Sequence, residues 1–233
     1  MNLVLLYLGT LSSLPPDLFV AAVVGIVAAL LIGMTVHEWA HNYVAHLMGD
    51  PNPRRLGRLT LNPLVHIYWP GFIMVLLIGF GVLGTAPISP YRMRNPRYGY
   101  LAAVAAGPVS NLGVAIVAAL ILNLLGGQRE IFGAIGGFMG VTPLTYLGFA
   151  LYFVITFNIL LFIFNLLPFA PLDGWSIVYT LLPPREAEWW ARNQQNSQFV
   201  FFALIFIGFA IPQFSPLGLI INPPMDFIMQ LLL

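Results

Sequence analysis

LFVAAVVGIVAALLIGMTVHEWAHNYVAHLM, residues 18–48, is the stretch on which the reading of this chain turns. Residues 18–36 carry no charge, and His37, Glu38 and His41 then arrive inside what is otherwise an apolar run. A helix needs about 20 mostly apolar residues to cross a bilayer, so this stretch predicts a spanning helix with three ionisable groups at membrane depth. Such groups cost several kcal/mol in lipid unless they pair or bind something. The stretch therefore fixes both the class of fold and the place to look for chemistry.

Working outward, residues 98–125 and 143–167 also meet the spanning length, and 199–214 is barely long enough. Residues 1–14 and 217–233 are apolar but short and interrupted by Pro or Gly. The first of these lacks a basic leader and a small-residue cleavage site, so it is read as retained and not as a signal peptide. The expectation is an all-α polytopic membrane protein with about 4 to 6 transmembrane helices. Composition agrees: 59% of residues are hydrophobic and 7% charged, against roughly 25% charged in a soluble domain. Nine Arg, no Lys and eight acids leave a net charge of +1, which offers no basic field for nucleic acid. The absence of cysteine excludes disulfides and thiolate metal sites, so any metal must rest on His, Asp or Glu.

Residues 69–84 are short for a crossing and contain Gly71, Gly79, Gly81 and Gly84. Arg54, Arg55 and Arg58 precede this segment and Arg92, Arg94 and Arg97 follow it. Positive loops prefer the cytoplasm, so both flanks want the same side and the segment is read as a re-entrant, β-like membrane-embedded loop; the competing reading is a true crossing, which would split the two Arg clusters across the membrane. Non-helical backbone at that depth must be buried in protein or line a wet cavity. Arg185 and Arg192 then fall on the cytoplasmic side as well, leaving Arg129 as the one external Arg. The longest polar connections, 49–68 and 182–198, leave no room for a soluble domain, so residues 1–233 read as one integral-membrane domain with a core over about 19–182.

Within a helix, positions four apart lie on one face, so His37 and His41 can share one tetrahedral metal while Glu38 reaches a water held there. This is the arrangement of a zinc peptidase. The bland alternative is a polar cluster bonded to neighbouring helices. His46 projects from the other side of the helix and is expected at the cytoplasmic interface. The pair lies roughly 10 to 17 Å inside the helix end, so hydrolysis there requires a polar cavity reached from the cytoplasm. A catalytic zinc takes three protein ligands and an open position. Asp173, which follows the third long helix across Pro168 and Pro171, is the best third ligand, because Asp17, Asp50, Glu130, Glu186, Glu188 and Asp226 read as solvated interfacial or loop groups. Its alternative role is to cap a helix over 174–182.

Three separated motifs now point to a family. His37-Glu38-Trp39-Ala40-His41, Gly107-Pro108-Val109-Ser110-Asn111, and the run from Asn165 through Pro168, Pro171 and Leu172 to Asp173-Gly174 match in order and spacing. The chain resembles the site-2 protease family of intramembrane zinc metalloproteases, in its compact prokaryotic form without a PDZ or CBS domain. The resemblance implies one Zn²⁺ per chain held by His37, His41 and Asp173, with Glu38 as catalytic base. It implies Asn165 as a polar group holding substrate or the developing oxyanion, and a cut within or beside a substrate's transmembrane helix. The expected partners are a transmembrane protein substrate and the lipid bilayer, and the expected location is the cell membrane with the site near the cytoplasmic face.

Other stretches resemble the family with departures: Tyr68-Trp69-Pro70-Gly71 replaces its Asp-Pro-x-Gly, and the loop containing Ala86 and Pro87 lacks its Lys. Ala86 and Pro87 are candidate substrate-binding residues. His66 is a structural partner near the cavity, a substrate contact or a metal ligand, the last disfavoured because a catalytic zinc needs only three protein ligands. Asn111 either packs against the metal helix or touches substrate. A helical peptide bond must be unwound before hydrolysis, and the loop 85–93 is expected to offer a strand edge for that, since Pro87 and Pro90 suit an edge. The rival classes are an intramembrane metal transporter, disfavoured by the lack of repeated halves, and a non-catalytic scaffold, disfavoured by the intact Glu38.

Overall fold

A computed structural model of the chain describes residues 15–78, 81, 84, 86–135, 141–211 and 214–233. The expectation for residues 1–14 lies outside the described residues. The helices run in the order α1 Pro16–Leu47, α2 Asn52–Arg55, α3 Pro63–His66, α4 Trp69–Ile78, α5 Pro96–Leu124 and α6 Gly127–Ile135. They continue with α7 Pro143–Asn165, α8 Asp173–Leu181, α9 Pro184–Arg192, α10 Gln194–Ala210 and α11 Pro216–Leu232. No strand occurs among the described residues, and the chain is an all-α polytopic membrane protein.

Three of these helices, α1, α5 and α7, are long and apolar enough to cross a membrane. At 1.5 Å per residue, the 32 residues of α1 extend about 48 Å, more than the hydrocarbon core of about 30 Å. Their ends are written locally. Pro16 opens α1, Asn95 accepts from the Tyr98 amide ahead of Pro96 in α5, and Thr142 and Thr145 form a reciprocal capping box ahead of Pro143 in α7. The 199–214 stretch belongs to α10, which like α11 has 17 residues and falls short of the other three.

α1, α5 and α7 pack on one another in every pairing. Small residues line the contact, among them Ala22 and Ala29 of α1 and Ala115, Ala118 and Ala119 of α5, all buried, which lets the helix backbones approach closely. The outward faces are apolar too: Val24, Val117 and Leu124 are exposed. A helix that is apolar all round belongs in lipid. The directions alternate, so that the end of α1, the start of α5 and the end of α7 meet at one end of the bundle. Eight of the nine arginines lie in the segments at that end, and Arg129 follows α5 at the other.

The described ends of the 69–84 segment meet. After the ten-residue α4, the chain returns so that Gly84 pairs antiparallel with Ile67. Its entry and exit are thus neighbours, as re-entry requires and a crossing forbids. Ile67 and Phe72 are buried in the main apolar core, which seats the hairpin against the bundle.

Candidate metal centre

His37 and His41 lie six to ten residues inside the end of α1 at Leu47, about 9 to 15 Å along the helix. Both are buried, each 4% exposed. Their Nε2 atoms converge at 2.9 Å, and Asp173 Oδ2 lies 3.2 Å from each of them. Asp173 is the first residue of α8, and that helix has no side-chain cap, so the capping role is not taken. The segment between α7 and α8, which carries Pro168 and Pro171, is not extended. It folds through tight turns, with the Phe169 amide on the Leu167 carbonyl and the Leu172 amide on that of Phe169, and those turns swing Asp173 back over α1.

The opposite edges of the imidazoles are both held as donors. His37 Nδ1 donates to Asn111 Oδ1 at 2.7 Å, and His41 Nδ1 donates to the Ala103 carbonyl at 2.8 Å. With the Nδ1 atoms as donors, neutral rings turn both Nε2 lone pairs toward the point that Asp173 Oδ2 also faces. Asp173 Oδ2 is buried and accepts no hydrogen bond. One proton could relieve only one of the three close approaches, whereas one cation relieves all of them. Tetrahedral zinc at 2.0–2.2 Å from N and O ligands separates those ligands by about 3.3 Å, close to the spacing found. The donor set therefore fits a metal, and His37, His41 and Asp173 could hold one.

The shell behind the ligands spans all three long helices. Asn111 of α5 is fully buried, and its amide donates to the Gly33 carbonyl of α1 at 3.0 Å and to Asn158 Oδ1 of α7 at 2.9 Å. Asn158 in turn donates to the Val154 carbonyl at 2.8 Å. Of the two expectations for Asn111, packing is the one this geometry supports: its oxygen and amide are spent on His37, Gly33 and Asn158, and it does not line the cavity. Gly107 lies directly beneath the imidazoles, where a Cβ would overlap His41 Nε2 and come within 2.8 Å of His37 Cε1. Pro108 follows it inside α5 and leaves the Val104 carbonyl without its helical donor, next to the carbonyl that His41 uses.

A cavity of about 350 Å³ opens over the triangle, lined by Glu38, His41, Asn165, Asp173 and, from the hairpin and the loop after it, Gly84 and Ala86. Glu38 is 4% exposed, and its Oε2 is buried without a hydrogen-bond partner. A Cβ at Gly84 would lie 2.6 Å from Glu38 Oε1, so the hairpin backbone closes directly on this carboxylate. Asn165 donates to the Leu161 carbonyl at 3.0 Å from the cavity wall. Pro87 belongs to the same loop as Ala86 but is not among the described lining residues. His66 lies outside the cavity as well; its Nε2 donates to the Thr60 carbonyl at 2.6 Å, which ties the turn ahead of the hairpin.

The strand edge expected over 85–93 is not what the described part of that loop forms. The Ile88 amide turns back to Ala86, Ser89 donates to Asp50, and Arg92 and Met93 donate to Ser89 and Pro90 around a 3₁₀ turn at Pro90–Arg92. Pro87 and Pro90 drive turns here, and four amides of the proposed edge are already spent. Asp50 is a second correction. Read from sequence as a solvated loop acid, it is fully buried, accepting from the Asn52 amide at 3.0 Å and the Ser89 amide at 2.7 Å. Sequence reasoning also passed over Asn158, although a lone amide in the middle of an apolar span is itself a signal.

The chain is 34% identical over 200 residues to "Putative zinc metalloprotease YwhC" of Bacillus subtilis (strain 168), a match covering 86% of this chain and 84% of that protein. It is 26% identical over 201 residues to "Putative zinc metalloprotease Rip2" of Mycobacterium tuberculosis (strain ATCC 25618 / H37Rv), covering 82% of this chain and 68% of that one. No family model and no solved structure matches it. An all-α membrane bundle with a buried His-His-Asp triangle defines a membrane metalloprotein. The chain belongs to the zinc metalloprotease family of these relatives.

Proposed function

We propose that the chain is an intramembrane zinc metalloprotease of the site-2 type, hydrolysing peptide bonds within or next to transmembrane segments of membrane protein substrates. The observation that carries this reading is the juxtaposition, in one cavity between membrane-spanning helices, of three converging acceptors and the unpartnered Glu38. In this reading one Zn²⁺ per chain rests on His37, His41 and Asp173. The metal, when bound, supplies Lewis acidity toward a carbonyl and lowers the pKa of a water toward about 7. Glu38 Oε2, free of any donor, takes a proton from the attacking water and passes it to the leaving amide nitrogen. Asn165, whose amide has one proton to spare beyond its bond to Leu161, holds the substrate backbone or the oxyanion. Asn111 and Ala103 keep the imidazoles in the tautomer that leaves Nε2 free.

The eight arginines at one end of the bundle support a cell-membrane orientation with that end in the cytoplasm, which sets the site within the bilayer near the cytoplasmic face. The test is Glu38→Gln in proteoliposomes, with cleavage of single-span polypeptides and zinc by elemental analysis read together. Turnover should fall about 10²–10⁴-fold with zinc retained. Cleavage at the wild-type rate refutes the assignment, and zinc uptake that is independent of Glu38 turns the reading toward transport.

A further inference from the structure

A second cavity, of about 520 Å³, lies beside the first at the arginine-rich end of the bundle, within the size range of ordinary ligand pockets. Tyr100 of α5 and Ser176 of α8 line both cavities. Tyr100 Oη donates to Ser176 Oγ at 3.3 Å, long for a hydroxyl pair, whose usual separation is about 2.7–2.8 Å. Ser176 is one helical turn beyond Asp173, so one face of α8 carries the third acceptor of the metal centre and then the partition between the two spaces.

The outer walls are held more firmly than the partition. Arg97 donates from α5 to the carbonyls of Thr180, Leu181 and Leu182 at 2.8–3.1 Å, which closes one side. Trp190 of α9 donates to the Trp175 carbonyl at 3.1 Å and stacks on the Trp175 ring at 4.2 Å, which fixes the other. The lining is largely aromatic, with Tyr91, Trp175 and Tyr179 beside Pro90 and Pro96. Arg97 is the one charged side chain among the lining residues, and its guanidinium is already engaged. Rings and prolines without a free charge suit an extended polypeptide of mixed sequence better than an anion or a metal.

We propose that this second cavity is a groove for the substrate's extended flank on the arginine-rich side of the scissile bond, entered through the Tyr100–Ser176 partition. The inference rests on the proteolytic reading above. A chain opened for hydrolysis in the first cavity must continue somewhere at about 3.3 Å per residue, and the second cavity shares a wall with the first and lies toward the bundle end. It also takes over the role that the strand edge over 85–93, with its amides spent, does not fill.

Because the sequence has no cysteine, a Tyr179→Cys chain carries a single thiol at the groove. In the Glu38→Gln background this chain is reconstituted in phosphatidylcholine vesicles with a single-span polypeptide. The polypeptide has a Leu/Ala helix of about 20 residues, a flank of about 15 residues in extended conformation, and one cysteine moved along that flank. With a copper–phenanthroline oxidant added to accept the two electrons, disulfide formation should peak over a narrow band of flank positions and fall roughly tenfold, the equivalent of one lost contact, when Ala187→Trp fills the groove. Zinc content checks that the Ala187→Trp chain is folded. Equal yield at all positions, or none at any, overturns the groove. Cleavage by the wild-type chain is measured on the same polypeptides. Cleavage without a position-dependent cross-link sinks the groove and leaves proteolysis standing, whereas the cross-link without cleavage keeps a polypeptide-binding groove and sinks proteolysis.

Discussion

Two buried carboxylates, at the end of α1 and at the start of α8, show how position separates an anchor from a reactive site. Asp50 is fully enclosed, and each of its oxygens accepts a backbone amide, from Asn52 and from Ser89. Asp173 is directed at the Nε2 atoms of two imidazoles, which are acceptors in neutral rings whose Nδ1 atoms donate to Asn111 and Ala103. Donors meet the acceptor in the first region, and acceptors meet the acceptor in the second. The first arrangement is complete as it stands and fastens the loop after the hairpin to the helix that carries His37 and His41. The second gathers three ligand atoms that one cation would satisfy together. Buried polar groups are normally satisfied, so the region that departs from the rule is the one to examine for chemistry.

The comparison breaks most directly at Asp173. Asp173→Ala removes one of three ligands, and zinc measured by elemental analysis of the purified chain should fall from about one per chain toward zero, since three protein ligands are what such a site uses. Zinc held as tightly as in wild type would mean that the triangle is not the metal site. Asn111→Ala tests the layer behind it. Loss of the partner that sets the His37 tautomer should weaken zinc binding about 10–100-fold, read by competition with a chelator, and unchanged affinity would remove Asn111 from the site.

Asp50→Asn sharpens the contrast from the other side. The new amide turns one acceptor into a donor facing a backbone N–H, which should cost about 1–3 kcal/mol of stability and lower the thermal midpoint in detergent while zinc content stays at the wild-type level. Loss of zinc without loss of stability would erase the distinction drawn here between the two acids.

Much of the metal centre was legible without a structure. His37, Glu38 and His41 share a helix whose period alone sets their relation, and the cost of charge in lipid made them conspicuous. Asp173 was reached by setting aside the acids near predicted ends and loops. That reasoning picked Asp173, which the fold sets beside both imidazoles, and failed for Asp50, which is covered by a loop arriving from 39 residues away. The roles of Asn111 and Asn158 were hidden for a related cause: a helix's own sequence gives the angle between its side chains, but not which neighbouring helix faces them.

The sequence by itself determined three long spans, a hairpin between two arginine-rich flanks, and a pair of imidazoles on one helical face. These follow from apolar length, charge placement and helical period, all of which are local. The tertiary structure alone decided that His37, Asn111 and Asn158 form one hydrogen-bonded line across α1, α5 and α7, that Gly84 closes on Glu38, and that Tyr100 and Ser176 divide two cavities. Those relations depend on the rotation and depth of packed helices, which are set by the interlocking of small residues from separate parts of the chain.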